Sequence, residues 1–235
     1  LDDVYGRFKK LASFQPPVGL ASLAGYLLQF KHDVSIIDCN AYGLSIEDTI
    51  KEVRRYSPDM VGLYTLSYNY PVTEILTSAI RLSNSEVKIV AGGPHATFMP
   101  EQMLRETPID FCVLGEGEET IVELLDCIEK GLPLEEVAGL AYRDCPGSIK
   151  INPRRQRLKK IDSIPKPAWD LFDIQKYNEV NQPHGSAQGM FMPMLATRGC
   201  PFSCTFCTSP NMWTTEWIPR DCKLVVDEMQ EYNQE

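Results

Sequence analysis

Between residues 17 and about 143 the chain alternates between helical and strand-like spacing of its apolar residues, and this alternation constrains the fold more than any other feature. "VGLASLAGYLLQF" has the spacing and length of a helix, entered through Pro16 and Pro17. "DVSIID" is a short β-branched run, and "SIEDTIKEVRRY" is an amphipathic helix with Ser45 at its N-cap and Asp48 in its first turn. A strand "DMVGLYTLS", a helix "VTEILTSAIRL" and a strand "VKIVAGG" come next. They are followed by a short helix "PEQMLRET", a strand "DFCVLGEG" and a helix "EETIVELLDCIEKG" closed by Gly131. Strands this apolar, separated by helices, call for a parallel sheet covered on both faces. The expected class is therefore α/β, a doubly wound parallel sheet whose ligands sit outside the C-terminal ends of its strands.

Beyond this region the pattern changes. "AGLAYRDCPGSIKI", residues 138–151, reads as a small hairpin around Pro146-Gly147. Residues 152–192 are irregular and proline-rich, with "IPKPAWDLFD" in the middle, and read as an interdomain linker. A strand "PMLAT" leads into a cysteine-rich loop, and the helix "DCKLVVDEMQEYNQE" ends the chain. The expected division is 1–137 for the α/β domain, 138–192 for hairpin and linker, and 193–235 for the start of another domain. With Leu1 at one end and a bare helix at the other, the chain is expected to be a piece of a longer protein.

Net charge is −9, which argues against a grip on nucleic acid, because phosphate contacts need clustered Lys and Arg. The one basic run, Arg154, Arg155, Arg157, Lys159 and Lys160, reads as a solvated linker. No apolar stretch approaches the ~20 residues needed to cross a bilayer, and no secretory leader is visible. The expected location is cytoplasmic, away from membranes.

Eight cysteines in such a chain point to metal or redox work rather than disulfides. Cys39, Cys112, Cys127 and Cys145 are scattered; Cys112 in a strand and Cys127 on a helix read as small buried hydrophobes. Cys200, Cys204 and Cys207 form a C-x3-C-x2-C run in "TRGCPFSCTFC". Zinc wants four tetrahedral ligands, usually from two separated C-x2-C pairs. Iron–sulfur cubanes also take four thiolates, so a set of three leaves one iron open to a substrate or cofactor. The strand-to-helix position of the loop is that of the first βα loop of a (β/α) barrel, where active sites gather. Phe202 and Phe206 fall between the cysteines, where they would shield a cluster from water. The downstream Cys222 is a weaker ligand candidate.

The run "RGCPFSCTFC" resembles the signature of the radical S-adenosylmethionine enzymes, C-x3-C-x2-C with an aromatic, here Phe206, before the last cysteine. By that resemblance Cys200, Cys204 and Cys207 hold a [4Fe–4S] cluster. S-adenosylmethionine would chelate the fourth iron, and its reductive cleavage would release a 5′-deoxyadenosyl radical, with electrons from a flavodoxin- or ferredoxin-type donor. "PPVGLASLAGYLL", "VKIVAGGPHAT", "DFCVLGEGEET" and "SIPKPAWDLF" further resemble the flavodoxin-like cobalamin-binding domain and linker of the B12-dependent members. The resemblance implies cobalamin contacts at Thr65, Leu66 and Ser67, at Gly92, Gly93, Pro94 and His95, and at Gly115, Glu116 and Gly117. Gly92 and Gly93 end a strand where a flat corrin can approach the backbone. Gly115 and Gly117 lie at a helix N-terminus suited to a phosphate or amide tail. Alone, either glycine pair is also an ordinary tight turn, and Glu116 and Glu118 would repel a phosphate unless they face away or bond to neutral groups.

One departure is informative. The cobalamin domains of methionine synthase and the mutases carry D-x-H-x-x-G, whose histidine replaces the lower axial base. None of His32, His95 and His184 sits in that pattern. His32 reads as a surface turn residue, His184 as incidental, and His95 as either a cofactor-edge contact or loop packing. The implied activity is methyl transfer to an unactivated carbon or phosphorus of a small-molecule or peptide substrate. The alternatives are an anaerobic oxidative cyclase of magnesium-porphyrin esters, or a non-catalytic cobalamin-binding module with a structural cluster.

Overall fold

The structure, a computed structural model, describes residues 15–145, 147–180 and 192–233. His184 and Pro146 lie outside the described residues. The chain divides into two compact units: one comprises Ile50–Ser163 with Thr197–Arg220, the other Leu1–Thr49, Ile164–Ala196 and Asp221–Glu235.

The elements in chain order are α1 (Val18–Gln29), α2 (Ile46–Tyr56), β1 (Met60–Tyr64), α3 (Tyr70–Ser83) and β2 (Lys88–Gly92). Two short helices, α4 (Pro94–Phe98) and α5 (Pro100–Glu106), precede β3 (Phe111–Val113) and α6 (Glu118–Lys130). The hairpin β4 (Leu140–Cys145) and β5 (Ser148–Ile151) is followed by α7 (Ile174–Val180). Last come β6 (Thr197–Arg198), α8 (Ser209–Trp213), β7 (Ile218–Pro219) and α9 (Cys222–Tyr232).

In the first unit five strands form one sheet in the order β1-β2-β3-β4-β5. β1, β2 and β3 are parallel, with Leu63 opposite Ala91 and Ala91 opposite Cys112. This is the α/β arrangement the sequence predicts. The hairpin is not a separate appendage: β4 pairs antiparallel with β3, Cys112 opposite Ala141, so the sheet is mixed. "DVSIID" forms no ladder among the described residues, although its composition predicts a strand. Ile80, Ile89, Met103, Leu104, Leu124 and Leu140 are fully buried, each contributing about 1.5–3 kcal/mol by leaving water. Cys112 is buried among them, and desolvation pushes its thiol up to about 12. Cys127 is half-buried rather than buried. Arg81 ties the other end of the sheet together, donating to Asp110 at 2.6 Å and to the Val87 carbonyl at 2.7 Å. Gly131 ends α6 in the left-handed conformation, φ 62°, as a C-terminal glycine should.

The basic run is solvated only in part: Arg154, Lys159 and Lys160 are exposed as expected, whereas Arg155 and Arg157 are drawn into the fold. Arg155 is largely buried and pairs with Glu119 at 3.2 Å and with Glu123. Arg157 is buried still more deeply, in a setting described below. A run of like charge predicts exposure only when no opposite charge awaits it, and α6 presents a row of glutamates.

In the second unit the segment after Ile164 supplies the core. Trp169, Phe172 and Tyr177 pack with Ala21 and Ala41, Trp169 meeting Phe172 edge-on at 5.8 Å. The indole N–H donates to the Tyr232 hydroxyl at 2.8 Å. Ala168 N–H donates to the Ala21 carbonyl at 2.9 Å, so α1 runs against this segment; a side chain at Gly25 would overlap the Lys166 carbonyl. Ser45 caps α2, accepting from Asp48 N–H at 3.1 Å while its hydroxyl donates to the Asp48 carboxylate at 2.6 Å. Asp221 caps α9, its carboxylate accepting from the N–H groups of Lys223 and Leu224.

Candidate functional site

The strand ends of β1 and β2 are joined beyond their ladder. Thr65 N–H donates to the Gly92 carbonyl at 2.8 Å, and His95 N–H returns to the Thr65 carbonyl at 3.0 Å. Gly93 makes the crossing possible: its φ is 95°, and a Cβ there would lie 2.8 Å from the Tyr64 ring and 2.9 Å from the Thr65 carbonyl. Leu66 N–H is taken by Asn69 Oδ1 at 2.8 Å, which turns the chain into α3. Ser67 Oγ lies 3.1 Å from His95 Nδ1, and the Tyr70 ring packs on the imidazole with centroids 4.5 Å apart. Tyr70 in turn donates to Glu106 at 2.9 Å. The structure thus brings Thr65, Leu66, Ser67, Gly92, Gly93, Pro94 and His95 together at one end of the sheet.

Two polar atoms in this group are buried without a partner among the described residues: His95 Nε2 and Thr65 Oγ1. Buried polar atoms are otherwise nearly always paired. Desolvation holds the imidazole pKa below its ordinary 6.5, which keeps it neutral near pH 7. A neutral ring with one free nitrogen suits hydrogen bonds to amide-bearing groups such as those around a corrin.

The third strand end is tied to the second through one hydroxyl. Thr97 Oγ1 donates to the Gly93 carbonyl at 2.9 Å and accepts from Gly115 N–H at 3.0 Å. Gly115, φ 79°, then leads through Gly117 into α6. Glu116 is buried in ion pairs with Arg157 and Arg198, and Glu118 pairs with Arg198 at 2.6 Å. The two carboxylates at this helix entrance are thus neutralised by the protein itself. Sequence reasoning missed Thr97 and Arg157. The first sits inside "GGPHAT" with no distinguishing pattern, and the second is hidden in the basic run.

The cysteine loop leaves the two-residue β6–β7 ladder, Thr197 opposite Pro219 and Arg198 opposite Ile218. Cys204 and Cys207 are exposed and Cys200 half-exposed. Cys207 Sγ accepts from Ser209 N–H at 3.4 Å. Among the described residues no three His, Cys, Asp or Glu side chains converge as ligands of one ion. The donor set itself fits a cluster: three thiols within eight residues, each able to serve its own iron. Phe202 and Phe206, expected to shield a cluster, are 67% and 91% exposed. Cys222 begins α9 and is exposed. His32 is half-buried in the turn after α1.

Comparison with known proteins now bears on this geometry. Residues 7–125 match the B12 binding domain family. The chain is 38% identical to an uncharacterized methyltransferase of Pyrococcus horikoshii, over 91% of this chain and 45% of that protein. It is 29% identical to the cytidylyl-2-hydroxyethylphosphonate methyltransferase of Streptomyces wedmorensis, over 91% and 47%. It is 32% identical to the anaerobic magnesium-protoporphyrin IX monomethyl ester cyclase of Rubrivivax gelatinosus, over 94% and 40%. The chain spans less than half the length of these curated relatives. Among solved structures it resembles the cobalamin-dependent S-adenosylmethionine radical enzyme OxsB (TM-score 0.79, 23% identity, 95% of this chain and 30% of that one). It also resembles the radical S-adenosylmethionine methyltransferase TsrM of Kitasatospora setae, solved with cobalamin and a [4Fe-4S] cluster (TM-score 0.70, 20% identity, 93% and 43%). At such identities the likeness speaks to fold. A sheet whose strand ends meet at glycine turns around a neutral histidine therefore has its place among known proteins: the chain belongs to the B12-binding domain family, in the fold shared with OxsB and TsrM.

Proposed function

We propose that this chain is the cobalamin-binding and cluster-bearing part of a cobalamin-dependent radical S-adenosylmethionine enzyme that transfers a methyl group to an unactivated carbon or phosphorus. The observation that carries the reading is the membership of one compact unit: the loop of Cys200, Cys204 and Cys207 folds with the sheet whose ends carry the Gly93 and Gly115 turns. When bound, cobalamin supplies a methyl carrier, and the cluster with S-adenosylmethionine supplies a radical initiator. The chain's own residues hold and orient. Thr65, Leu66, Ser67, Gly92, Gly93, Pro94 and His95 bound the corrinoid site, with Gly115 and Gly117 on its far side. Cys200, Cys204 and Cys207 are the cluster ligands, and Phe206 covers them when the remaining barrel closes over the loop. In sequence, 1–137 serves the corrinoid, 138–192 connects after its hairpin has extended the same sheet, and 193–235 begins the barrel.

The partners are a small-molecule or peptide substrate and a flavodoxin- or ferredoxin-type electron donor, with no role for nucleic acid or membrane. Among the described residues no helix is long and apolar enough to cross a membrane. A reducing cytoplasm suits an oxygen-labile cluster. The relatives include both methyltransferases and cyclases at comparable identity, which keeps cyclisation as the second reading. Turnover of the protein bearing its full barrel, with reductant, substrate and S-adenosylmethionine, separates them. Methyl transfer forms S-adenosylhomocysteine, whereas reductive cleavage alone gives methionine and 5′-deoxyadenosine. Turnover yielding no S-adenosylhomocysteine would overturn the methyl-transfer reading. A barrel-bearing protein that forms neither product, yet binds cobalamin, would favour the non-catalytic module.

A further inference from the structure

Glu116 lies in the "GEGE" turn, where the sequence suggests a cofactor contact, yet both its oxygens are committed elsewhere. Oε2 accepts from Arg157 Nε at 3.0 Å and from Leu158 N–H at 3.0 Å. Oε1 accepts from Arg198 Nη1 at 3.3 Å, and Arg198 Nη2 donates to Glu118 at 2.6 Å. The side chains of Glu116, Arg157 and Arg198 are 5%, 8% and 9% exposed, so their charges have little water to fall back on.

The two arginines hold opposite ends of one loop. Arg198 is in β6, directly before Gly199 and Cys200. Arg157 donates to the carbonyls of Trp213 and of Glu216, the latter at 3.0 Å, and its guanidinium lies over the Trp213 ring, 5.2 Å from the centroid. Gly199 is pressed into the same layer: a Cβ there would overlap the Glu216 carbonyl and lie 3.0 Å from Arg157 Nη1. Residues 199–217 are thus a loop closed at its base by the β6–β7 ladder and by two arginines that share Glu116. Cys204 and Cys207 stand out from that base exposed to solvent.

We infer that Glu116 is a positioning residue for the cysteine loop, anchoring through Arg157 and Arg198 the base from which Cys200, Cys204 and Cys207 project, and is not a ligand of the corrinoid. With Glu116 neutral, Arg157 loses its carboxylate partner and Arg198 keeps Glu118 alone. The base then opens more often, and the three thiols lose their fixed spacing. The consequence for the cluster rests on the proposed function; the anchoring itself does not, so the two are tested separately.

The test compares wild type, Glu116→Gln, Arg157→Lys and, as a control, Glu119→Gln, whose partner Arg155 lies outside the loop base. Hydrogen–deuterium exchange of peptides from 197–219 is measured on the metal-free full chain, and hydroxocobalamin affinity by dialysis. Iron retention is followed after anaerobic reconstitution. Glu116→Gln and Arg157→Lys should speed exchange at 197–219 at least tenfold and shorten iron retention at least fivefold. Cobalamin affinity should stay within twofold, and the control should match wild type throughout. If wild type takes up no cluster, the proposed function fails while the exchange measurement still decides the anchor. If Glu116→Gln does not fold, Arg157→Lys decides alone. Unchanged exchange at 197–219, or a tenfold loss of cobalamin affinity with the loop as in wild type, would overturn the inference.

Discussion

Replacing Gly199 with alanine tests the loop base where it is most crowded. Gly199 has φ 90°, a conformation that costs a residue with a side chain about 1–3 kcal/mol. Its Cβ would overlap the Glu216 carbonyl, which also accepts from Arg157 at 3.0 Å. Relieving the overlap displaces that carbonyl and gives up a hydrogen bond to a charged donor, about 1.5–3 kcal/mol more. Gly115 provides the internal comparison, with φ 79° but nothing within 4 Å of where a Cβ would stand, so Gly115→Ala bears the backbone strain alone. The expected difference between the two variants is therefore about 1.5–3 kcal/mol, a factor of roughly ten to a hundred in an opening equilibrium. Urea unfolding followed by tryptophan fluorescence reads it, since Trp213 and Trp217 both lie on the loop. Exchange at 197–219 reads the local opening, which caps the loss if only the ladder separates. Gly199→Ala costing no more than Gly115→Ala would refute the packing argument.

Thr97→Val removes the hydroxyl linking the Gly93 and Gly115 turns and leaves Gly115 N–H without its acceptor. A loss of about 1–3 kcal/mol in urea unfolding is expected, and a neutral result would mean the turns are held independently. His95 has a folded-state pKa below its ordinary 6.5, so the unfolded chain takes up the proton first as pH falls. Its contribution is complete above that ordinary value and is lost as pH drops through the folded pKa. The melting temperature should therefore fall from pH 7.5 to 5.5 more steeply in wild type than in His95→Gln, and equal slopes would count against it. With no D-x-H-x-x-G in the sequence, cobalamin should bind without a protein histidine on its lower face. The cobalt paramagnetic resonance signal should then keep its nitrogen coupling unchanged in His95→Ala, and loss of such a coupling would contradict the prediction.

Much of this was legible from residue patterns, because burial on a sheet leaves a periodic trace. β2 reads as a strand because Ile89, Val90 and Ala91 are buried in succession. α6 announces both of its ends, with glutamates in the first turn and Gly131 at the last. The "DVSIID" run misleads because β-branched residues favour extended backbone but cannot supply a ladder partner. The hairpin was found, but its pairing with β3 sets Cys112 opposite Ala141 across the whole of α6, a contact no local pattern encodes. Arg157 illustrates the sharper limit. Its surroundings, Glu116 from one turn and the Trp213 and Glu216 carbonyls from another, are assembled by tertiary folding, and a basic run carries no local sign of them.

The most direct test of the central claim is elemental and spectroscopic analysis of the chain after anaerobic reconstitution with iron, sulfide and hydroxocobalamin. The account predicts about four irons and four sulfides per chain, as for a cubane on three cysteines, together with bound corrinoid. The iron should disappear in Cys200→Ala, Cys204→Ala and Cys207→Ala but persist in Cys39→Ala. Tightly held zinc in place of iron, in protein that retains no corrinoid, would contradict it.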